Sequence, residues 1–250
     1  MIELKSKEDI EKLRIANRHV GEILNLLKEY VKPGVSAYEL DQIAYEECKK
    51  RNVKPAFLGL YGFPASLCVS INEEVVHGIP KKEKVIKEGD IVSLDFGVEY
   101  EGWFGDAAIT VAVGEVSERK KRLIAGVEKA LEEAIKLCYP GRNLKEIAYA
   151  IQKTLLDYKL TPVCTYGGHG IGRKPHEPPH VTNCVENAEN VVLKEGMVLA
   201  IEPMAYLGKG KIRVLKDGWT VVTTDKSHAA HFEHSIAITE NEPIVLSKLD

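Results

Sequence analysis

Residues 176–180 read His-Glu-Pro-Pro-His, the spacing in which two histidines hold zinc and the intervening glutamate acts as a base. That chemistry needs a helix, because helical geometry places residues i and i+4 on one face. Pro178 and Pro179 argue strongly against a helix, since each lacks an N–H and biases the preceding residue towards extended conformations. We therefore do not expect His176 and His180 to share a metal ion.

A second set of candidates consists of four acids beside apolar, strand-like runs. Asp95 lies in SLDFG, Asp106 in GDAAIT, Glu202 in AIEPM and Glu233 in HFEHS, and none of these runs contains lysine or arginine. Unpaired carboxylates taken out of water cost several kcal/mol, so a positive partner is needed. Divalent cations are the natural counter-charge, and two ions about 3.5 to 4 Å apart can share bridging carboxylates.

Histidines add a nitrogen donor to this set. His169 lies among glycines in GGHGIGR, where missing side chains let the ring approach a ligand closely. One imidazole with four carboxylates suits Mn²⁺, Fe²⁺, Co²⁺ or Zn²⁺ and disfavours a thiolate site. His77 shares the tripeptide His-Gly-Ile with residues 169–171. A structural or exposed role is kept for His19, His180 and His228, and the role of His231 and His234 is left open.

The elements that must position these residues occur twice along the chain. Capped helices are predicted to begin at Ser6, Ser36, Ser117 and Asn143. One offset of 107 residues matches Pro33, Ser36 and Glu39 with Pro140, Asn143 and Glu146. The same offset relates the strand-like runs 91–95 and 198–202, so an acid occupies the same place in both halves.

This duplication predicts two similar halves, about 1–115 and 116–250, packed about a pseudo-twofold axis. Helices combined with mainly antiparallel strands indicate an α+β fold in which one shared sheet is covered by helices on one face. No Gly/Ser-rich linker divides the halves. We therefore expect a single catalytic domain over residues 1–250.

Two hairpins are expected to bring the acids together. Glu101-Gly102 is a turn signal between two strand-like runs. Folding the first hairpin about Tyr100 and Glu101 places Asp95 directly opposite Asp106.

The second hairpin is longer and has a strong turn signal at Asp217-Gly218. Glu202 and Glu233 lie fifteen residues to either side of it. The symmetry suggests that these two acids also face each other.

Composition limits the other functions that the chain could have. Apolar residues make up 44% of it, which is ample for a core, and the net charge of −3 gives no electrostatic reason to expect nucleic acid as a partner. The cysteines are odd in number and lack a C-x-x-C pair, which argues against a disulfide framework and favours a reducing cytoplasm. No signal-peptide pattern or membrane-length apolar run is present, so we expect no membrane association.

Taken in order, the segments VSINEEVVHGIP, SLDFG, GDAA, GGHGIGR, AIEPM and HFEHS closely resemble the type I methionine aminopeptidases over nearly the whole chain. The resemblance implies the pita-bread fold of the M24 family. It also implies a cytoplasmic, monomeric hydrolase that removes the N-terminal methionine from nascent proteins and peptides whose second residue is small. It leaves ribosome association open.

The resemblance also assigns roles to individual residues. It implies that two divalent metal ions (Co, Mn, Fe or Zn) are held by Asp95, Asp106, His169, Glu202 and Glu233, with Asp106 and Glu233 bridging. Glu202 would act as general base on a bridging water. His176 would donate to the developing oxyanion, and His77 would contact or protonate the leaving amide nitrogen.

The same matching assigns the pocket for the methionine side chain to Phe57, Leu60, Phe63, Cys68 and Trp219. There an unbranched thioether can pack against aromatic rings. The sequence departs from relatives that carry smaller or hydroxylated residues at positions 57 and 60. It also has Lys174-Pro175 where an aromatic residue often precedes the catalytic histidine.

The main alternative is the proline-directed branch of the same fold, the Xaa-Pro aminopeptidases and prolidases, which resemble this site in all five ligands. Those chains generally carry a large extra N-terminal domain, whereas the first helix here is predicted to begin almost at residue 6. A binding protein that kept the fold and lost its metal ions is a second alternative, and the intact ligand set argues against it.

Overall fold

A computed structural model describes residues 2–248. Its α-helices are α1 (Lys7–Tyr30), α2 (Ala37–Lys50), α3 (Glu118–Ile135) and α4 (Leu144–Asp157). Ser6 and Ser36 cap α1 and α2 in capping boxes, and Ser117 caps α3. These caps satisfy N–H groups that have no partner inside the helix. The predicted helix starts are confirmed.

The cap of α4 differs in one detail from that of α2. The Asn143 side chain accepts a hydrogen bond from the Lys145 N–H at 3.0 Å. Glu146 does not complete a capping box and instead lies 3.5 Å from Arg142.

The strands are short except for two in the first half. That half contains β1 (Lys54–Pro55), β2 (Leu67–Ile71), β3 (Glu74–Val76), β4 (Ile91–Tyr100) and β5 (Trp103–Ala112). The second half contains β6 (Thr161–Pro162), β7 (Gly167–Gly170), β8 (Glu177–Thr182), β9 (Val198–Ile201), β10 (Met204–Tyr206), β11 (Ile212–Val214), β12 (Val221–Thr223), β13 (Ala229–His231), β14 (His234–Ala237) and β15 (Ile244–Val245).

All strand pairs within residues 2–248 are antiparallel, as predicted, but they form four hydrogen-bonded sheets instead of one shared sheet. The central strands β4 and β9 belong to different sheets. Pro203, which has no N–H for a ladder, lies where β9 gives way to β10 and helps to explain the division. An isolated bridge between Ala108 and Glu233 connects the two halves.

The predicted internal duplication is confirmed. Helices α2 and α4 have the same length and start 107 residues apart, and β4 and β9 start with the same separation. The isolated bridge between Ser36 and Val85 recurs between Asn143 and Val192. The repeat therefore extends from the helices to the way the cap of each second helix pairs with the segment before β4 or β9.

Each half buries its own apolar cluster between helices and strands. The first cluster includes Val20, Leu27, Leu40, Val69, Leu94 and Phe96. The second includes Val127, Leu131, Ile147, Ile151, Leu199 and Ile236. Burying one such side chain contributes about 1.5 to 3 kcal/mol, so β4, which carries Asp95, and β9, which ends just before Glu202, pack against a well-buried apolar cluster. Within residues 2–248, no helix combines the length and apolar character needed to cross a bilayer.

The first hairpin forms, but its predicted register is wrong by two residues. The turn consists of Glu101-Gly102, not Tyr100 and Glu101, and both turn residues have positive φ (51° and 77°). Favoured two-residue hairpin turns require this conformation because it matches the twist of the strands. Asp95 is therefore opposite Ala108, and Asp106 is its diagonal neighbour on the same face.

The second hairpin has the register that the sequence suggested about Asp217-Gly218. The pairs that flank the acids are those that this centre requires, Ile201 with His234 and Met204 with His231. Glu202 and Glu233 consequently face each other in the gaps between β9 and β10 and between β13 and β14.

The prediction about cysteines is wrong. Cys164 and Cys184 form a disulfide with a Cα–Cα distance of 5.3 Å, while the buried free cysteines are Cys48, Cys68 and Cys138. Cys164 precedes β7 and Cys184 follows β8, so the antiparallel pairing of these strands brings the two together. Their separation in sequence gave no local pattern. Cysteine usage therefore no longer supports a reducing compartment.

Candidate metal centre and substrate pocket

Two acids come from each half of the molecule. Asp95 lies in β4 and Asp106 in β5, whereas Glu202 and Glu233 lie at interruptions of the second hairpin. The backbone of Ala108 exchanges hydrogen bonds with that of Glu233, at 2.9 and 3.3 Å. Because Ala108 is also the strand partner of Asp95, this contact brings the acids of the two halves together.

The donor atoms of the predicted ligands form overlapping groups. Asp95, Asp106 and Glu233 offer oxygens within 4.8 Å of one another, and His169, Glu202 and Glu233 form a second such group. Glu233 belongs to both groups. The structure thus brings the five residues predicted as ligands into one cluster.

Two of the four acids are buried, and the described residues offer the cluster no lysine or arginine partner. Asp106 is 3% exposed and Glu233 is 2% exposed, and within residues 2–248 no lysine or arginine forms an ion pair with any of the four acids. Burial raises the pKa of Asp95 to about 7 and raises the pKa of Asp106, Glu202 and Glu233 well above the usual range. Desolvation disfavours the charged form, so this cluster needs positive charge to ionise.

Carboxylate oxygens without hydrogen-bond partners also indicate that the cluster needs positive charge. Oδ1 of Asp95, Oδ1 of Asp106 and Oε1 of Glu233 are buried without a hydrogen-bond partner. Orphaned buried polar atoms are costly and rare in folded proteins. A mainly oxygen donor set with one imidazole fits divalent cations such as Mn²⁺, Fe²⁺, Co²⁺ or Zn²⁺.

Neighbouring polar groups fix the backbone around the acids. Asn17 of α1 accepts a hydrogen bond from the Asp106 N–H at 3.2 Å, and the Ser235 hydroxyl donates to the Asp106 carbonyl at 2.8 Å. The Asn183 side chain donates to the carbonyl of Glu202 at 3.2 Å. The acids are therefore anchored through their main chain, which leaves their carboxylates free for a ligand.

His169 faces the acids from β7. Its Nδ1 contacts the carbonyl of Gly170 at 2.9 Å, and its Nε2 lies 3.9 Å from Asp106 and 3.7 Å from Glu202. Gly168 permits this approach, because a Cβ there would collide with the carbonyl of Ala200. Burial lowers the pKa of His169 to about 3, which keeps the ring neutral, as a metal ligand must be.

The opening motif is not helical. His176 immediately precedes β8, and its ring centroid lies 4.4 Å from that of His169. His180 pairs with His169 across β7 and β8. The structure therefore excludes the helical zinc arrangement at 176–180, although a His176 nitrogen does lie within 4.8 Å of donor atoms of Asp106 and His169.

The predicted pocket residues line one cavity of about 390 Å³ next to the acids. Phe63 meets Trp219 edge-on at 5.1 Å, and His77 faces the Trp219 ring at 6.2 Å. The remaining predicted lining, also brought together here, is Phe57, Leu60 and Cys68. Burial lowers the pKa of His77 to about 4, so its imidazole is neutral near pH 7.

Several lining residues were missed from the sequence. They are Tyr61, Val76, Thr165, Tyr166, Gly167, His180 and Met204. Tyr61 stacks on His176 at 5.9 Å and is 75% exposed at the mouth of the cavity. Its position between Gly59 and Gly62 was an available signal, because glycines often flank strained loops near ligands. His180 is exposed, as expected, although it also borders the cavity.

His231, whose role the sequence left open, lies beside the cluster. It is buried, and its Nε2 is 3.3 Å from Oε2 of Glu202 and 3.9 Å from Oε2 of Glu233. Thr110 bonds both the N–H and the carbonyl of His231, which fixes its backbone. No local pattern in the sequence distinguishes this histidine from a core residue.

Comparison with known proteins agrees with this geometry. The model of metallopeptidase family M24 matches residues 11–240. The chain belongs to metallopeptidase family M24. This M24 chain is 49% identical to a methionine aminopeptidase of Aquifex aeolicus, with 99% of each chain covered. It superposes on the crystal structure of a methionine aminopeptidase from Thermotoga maritima with a TM-score of 0.97, at 46% identity and full coverage of both chains.

A prolidase from Pyrococcus furiosus shares the fold of this M24 chain but resembles it less. The TM-score is 0.80 at 24% identity, and the alignment covers 99% of this chain and 66% of the prolidase. That likeness concerns the fold alone. The M24 chain has the pita-bread fold, which confirms the α+β architecture predicted from its duplicated halves.

Proposed function

We propose that this M24 metallopeptidase removes the N-terminal methionine from proteins and peptides whose second residue is small. The observation that carries the proposal is the position of the acid and histidine cluster at the wall of an aromatic, mostly apolar cavity. Relatives named methionine aminopeptidase match the chain over its full length. We further propose a single catalytic domain that acts as a cytoplasmic monomer on nascent chains.

Asp95, Asp106, His169, Glu202 and Glu233 would hold two divalent metal ions, drawn from Co, Mn, Fe or Zn. When bound, such ions polarise a carbonyl and lower the pKa of water at the site to near neutrality. The proposal rests on the overlapping donor groups and on the buried oxygens that lack partners.

The other steps belong to side chains of this protein. Glu202 takes a proton from the attacking water, and the burial that raises the pKa of its carboxyl suits a group that must accept a proton. His176 donates to the carbonyl oxygen as negative charge develops there. Burial lowers the pKa of both His176 and His77, so each is a neutral N–H donor near pH 7. His77 contacts the leaving nitrogen.

Specificity follows from the cavity. The methionine side chain packs among Phe57, Leu60, Phe63, Cys68 and Trp219, and its thioether suits these aromatic edges. The free α-amino group lies beside Asp95. Tyr61 and His176 stack on each other at the mouth of the cavity and would clash with a bulky second residue of the substrate.

A panel of three peptides tests the proposal. Purified protein with added Mn²⁺ or Co²⁺ is expected to release methionine from Met-Ala-Ser much faster than from Met-Leu-Ser and to leave Ala-Pro-Gly intact. Glu202→Gln is the matched control, and it should abolish release. Cleavage of Ala-Pro-Gly alone would contradict the proposal in favour of a proline-directed peptidase.

A further inference from the structure

The glutamate of the opening motif has a partner at the beginning of the chain. Nζ of Lys5 lies 2.7 Å from Oε2 of Glu177, and the Lys5 side chain is 1% exposed. The Glu177 side chain is also largely buried. An ion pair this enclosed differs from the solvated pairs on the helices, because solvent neither screens it nor readily replaces either partner.

Glycines enclose the Lys5 side chain and main chain. A Cβ at Gly172 would collide with Cε of Lys5 and lie 2.7 Å from Oε1 of Glu177. Gly196, at φ 88°, accepts the Lys5 N–H at 2.7 Å, and a Cβ there would lie 2.8 Å from the Lys5 carbonyl oxygen. The backbone is therefore shaped to admit this lysine.

Glu177 connects the pair to the candidate active site. It follows His176 directly, and in the strand pairing it faces Gly170, where the register shifts just after His169. Its Oε1 accepts the N–H of Lys174 at 3.1 Å, which closes the turn that carries His176. One carboxylate thus holds both the turn and the first residue of β8, and Lys5 holds the carboxylate.

We propose that Lys5 and Glu177 form a positioning pair that keeps the His176 imidazole aligned with the scissile carbonyl. This inference rests on the function proposed above for His176. Neither residue faces the cavity, so both act through the turn and not through substrate. Displacement of a reacting group by about 1 Å can lower the rate about a hundredfold. We therefore expect loss of the ion pair to lower the rate by up to about this factor.

Lys5→Met tests the pair by removing the cation while keeping an apolar stem. We expect kcat on Met-Ala-Ser with Mn²⁺ to fall about 10- to 100-fold, KM to change less than about threefold, and bound metal to stay unchanged. Lys5→Arg keeps the charge and should restore most of the turnover. The matched control is Lys12→Met, which breaks an exposed ion pair with Glu8 and should leave kcat unaltered.

Glu177→Gln provides a second test that keeps an oxygen for Lys174. We expect a fall in kcat of about 5- to 20-fold, and the double variant Lys5→Met/Glu177→Gln should be no slower than Lys5→Met, because both changes break the same contact. Circular dichroism establishes that each variant is folded. If Lys5→Met does not fold, Glu177→Gln decides the question.

A folded Lys5→Met or Glu177→Gln enzyme with kcat within about twofold of wild type would overturn the inference. So would a loss of kcat that follows a loss of bound metal, since the pair would then support the metal centre and not His176. Failure of the proposed function is recognised separately, because in that case the wild-type protein itself would not cleave Met-Ala-Ser.

Discussion

The two halves deliver their acids by different means. In the first half, β4 and β5 form an uninterrupted ten-residue hairpin, and Asp95 and Asp106 are diagonal neighbours inside it. In the second half the hairpin is broken, and Glu202 and Glu233 lie directly opposite each other at the breaks. Duplication has preserved the number of acids and the framework that carries them, but not the local geometry.

The other chemistry is divided unequally between the halves. The first half supplies most of the apolar pocket, including Phe57 and Phe63, together with His77. The second half supplies the hairpin of β7 and β8 with His169 and His176. Under the proposed function, the two halves would share the metal centre but differ in their other roles: the first would recognise the substrate side chain, and the second would supply donors near the scissile bond.

Removal of one acid from each half should have the largest effect and test their equivalence. We expect Asp106→Asn and Glu233→Gln each to lower kcat/KM on Met-Ala-Ser at least about a thousandfold, because each removes charge from a shared donor group. Elemental analysis should show loss of bound metal in both variants. Full metal content and activity in either variant would contradict the expectation that both halves contribute equivalent acids to the metal site.

His176→Ala should have the next largest effect and is specific to the second half. Loss of one donor to a developing oxyanion typically costs about 10² to 10³ in kcat. We expect that loss with bound metal retained. Metal loss in this variant would instead make His176 a ligand, for which its proximity to Asp106 and His169 gives a structural basis.

Phe63→Ala tests the specialisation of the first half. The ring packs edge-on against Trp219, and its removal should raise KM for Met-Ala-Ser about tenfold with a smaller change in kcat. Steady-state kinetics measures both values, and Tyr149→Ala, an exposed aromatic on α4, is the control. An unchanged KM would show that the cavity does not bind the substrate side chain.

The pH dependence of stability should reveal the cost of the buried acids in metal-free protein. The pKa of Asp95 is raised to about 7 from an unfolded value near 3.8, so its protonated form favours folding. That contribution is complete below about pH 3.8 and is lost as pH rises through about 7. The Tm of metal-free Asp95→Asn minus that of metal-free wild type should therefore increase by a few degrees as the pH rises from 4 to 7.

Added Mn²⁺ should give wild type the higher Tm at pH 7, because only wild type retains the complete set of ligands and is stabilised by the bound metal. A difference in Tm that does not change with pH would contradict the raised pKa of Asp95.

Much of the architecture could be predicted from local chemistry. Ser6 and Ser36 signalled helix starts, and Asp217-Gly218 fixed the register of the long hairpin, because caps and two-residue turns depend on a few neighbouring residues. The register of the first hairpin differs from the prediction because Glu101 adopts positive φ, which is uncommon for a non-glycine residue.

Other features depend on contacts between residues distant in sequence. The bond between Cys164 and Cys184 requires β7 and β8 to pair first. Tyr61 becomes part of the mouth only when β8 brings His176 to it. The pairing of Lys5 with Glu177 spans most of the chain, and no periodic pattern could have signalled it.

Titration of metal-free protein with Mn²⁺, followed in parallel by calorimetry and by release of methionine from Met-Ala-Ser, tests the metal centre most directly. We expect no turnover without metal, activity that rises with occupancy of the site, and neither binding nor turnover in Asp106→Asn. Turnover by metal-free wild type, or undiminished binding by Asp106→Asn, would contradict a catalytic centre built from the acids of both halves.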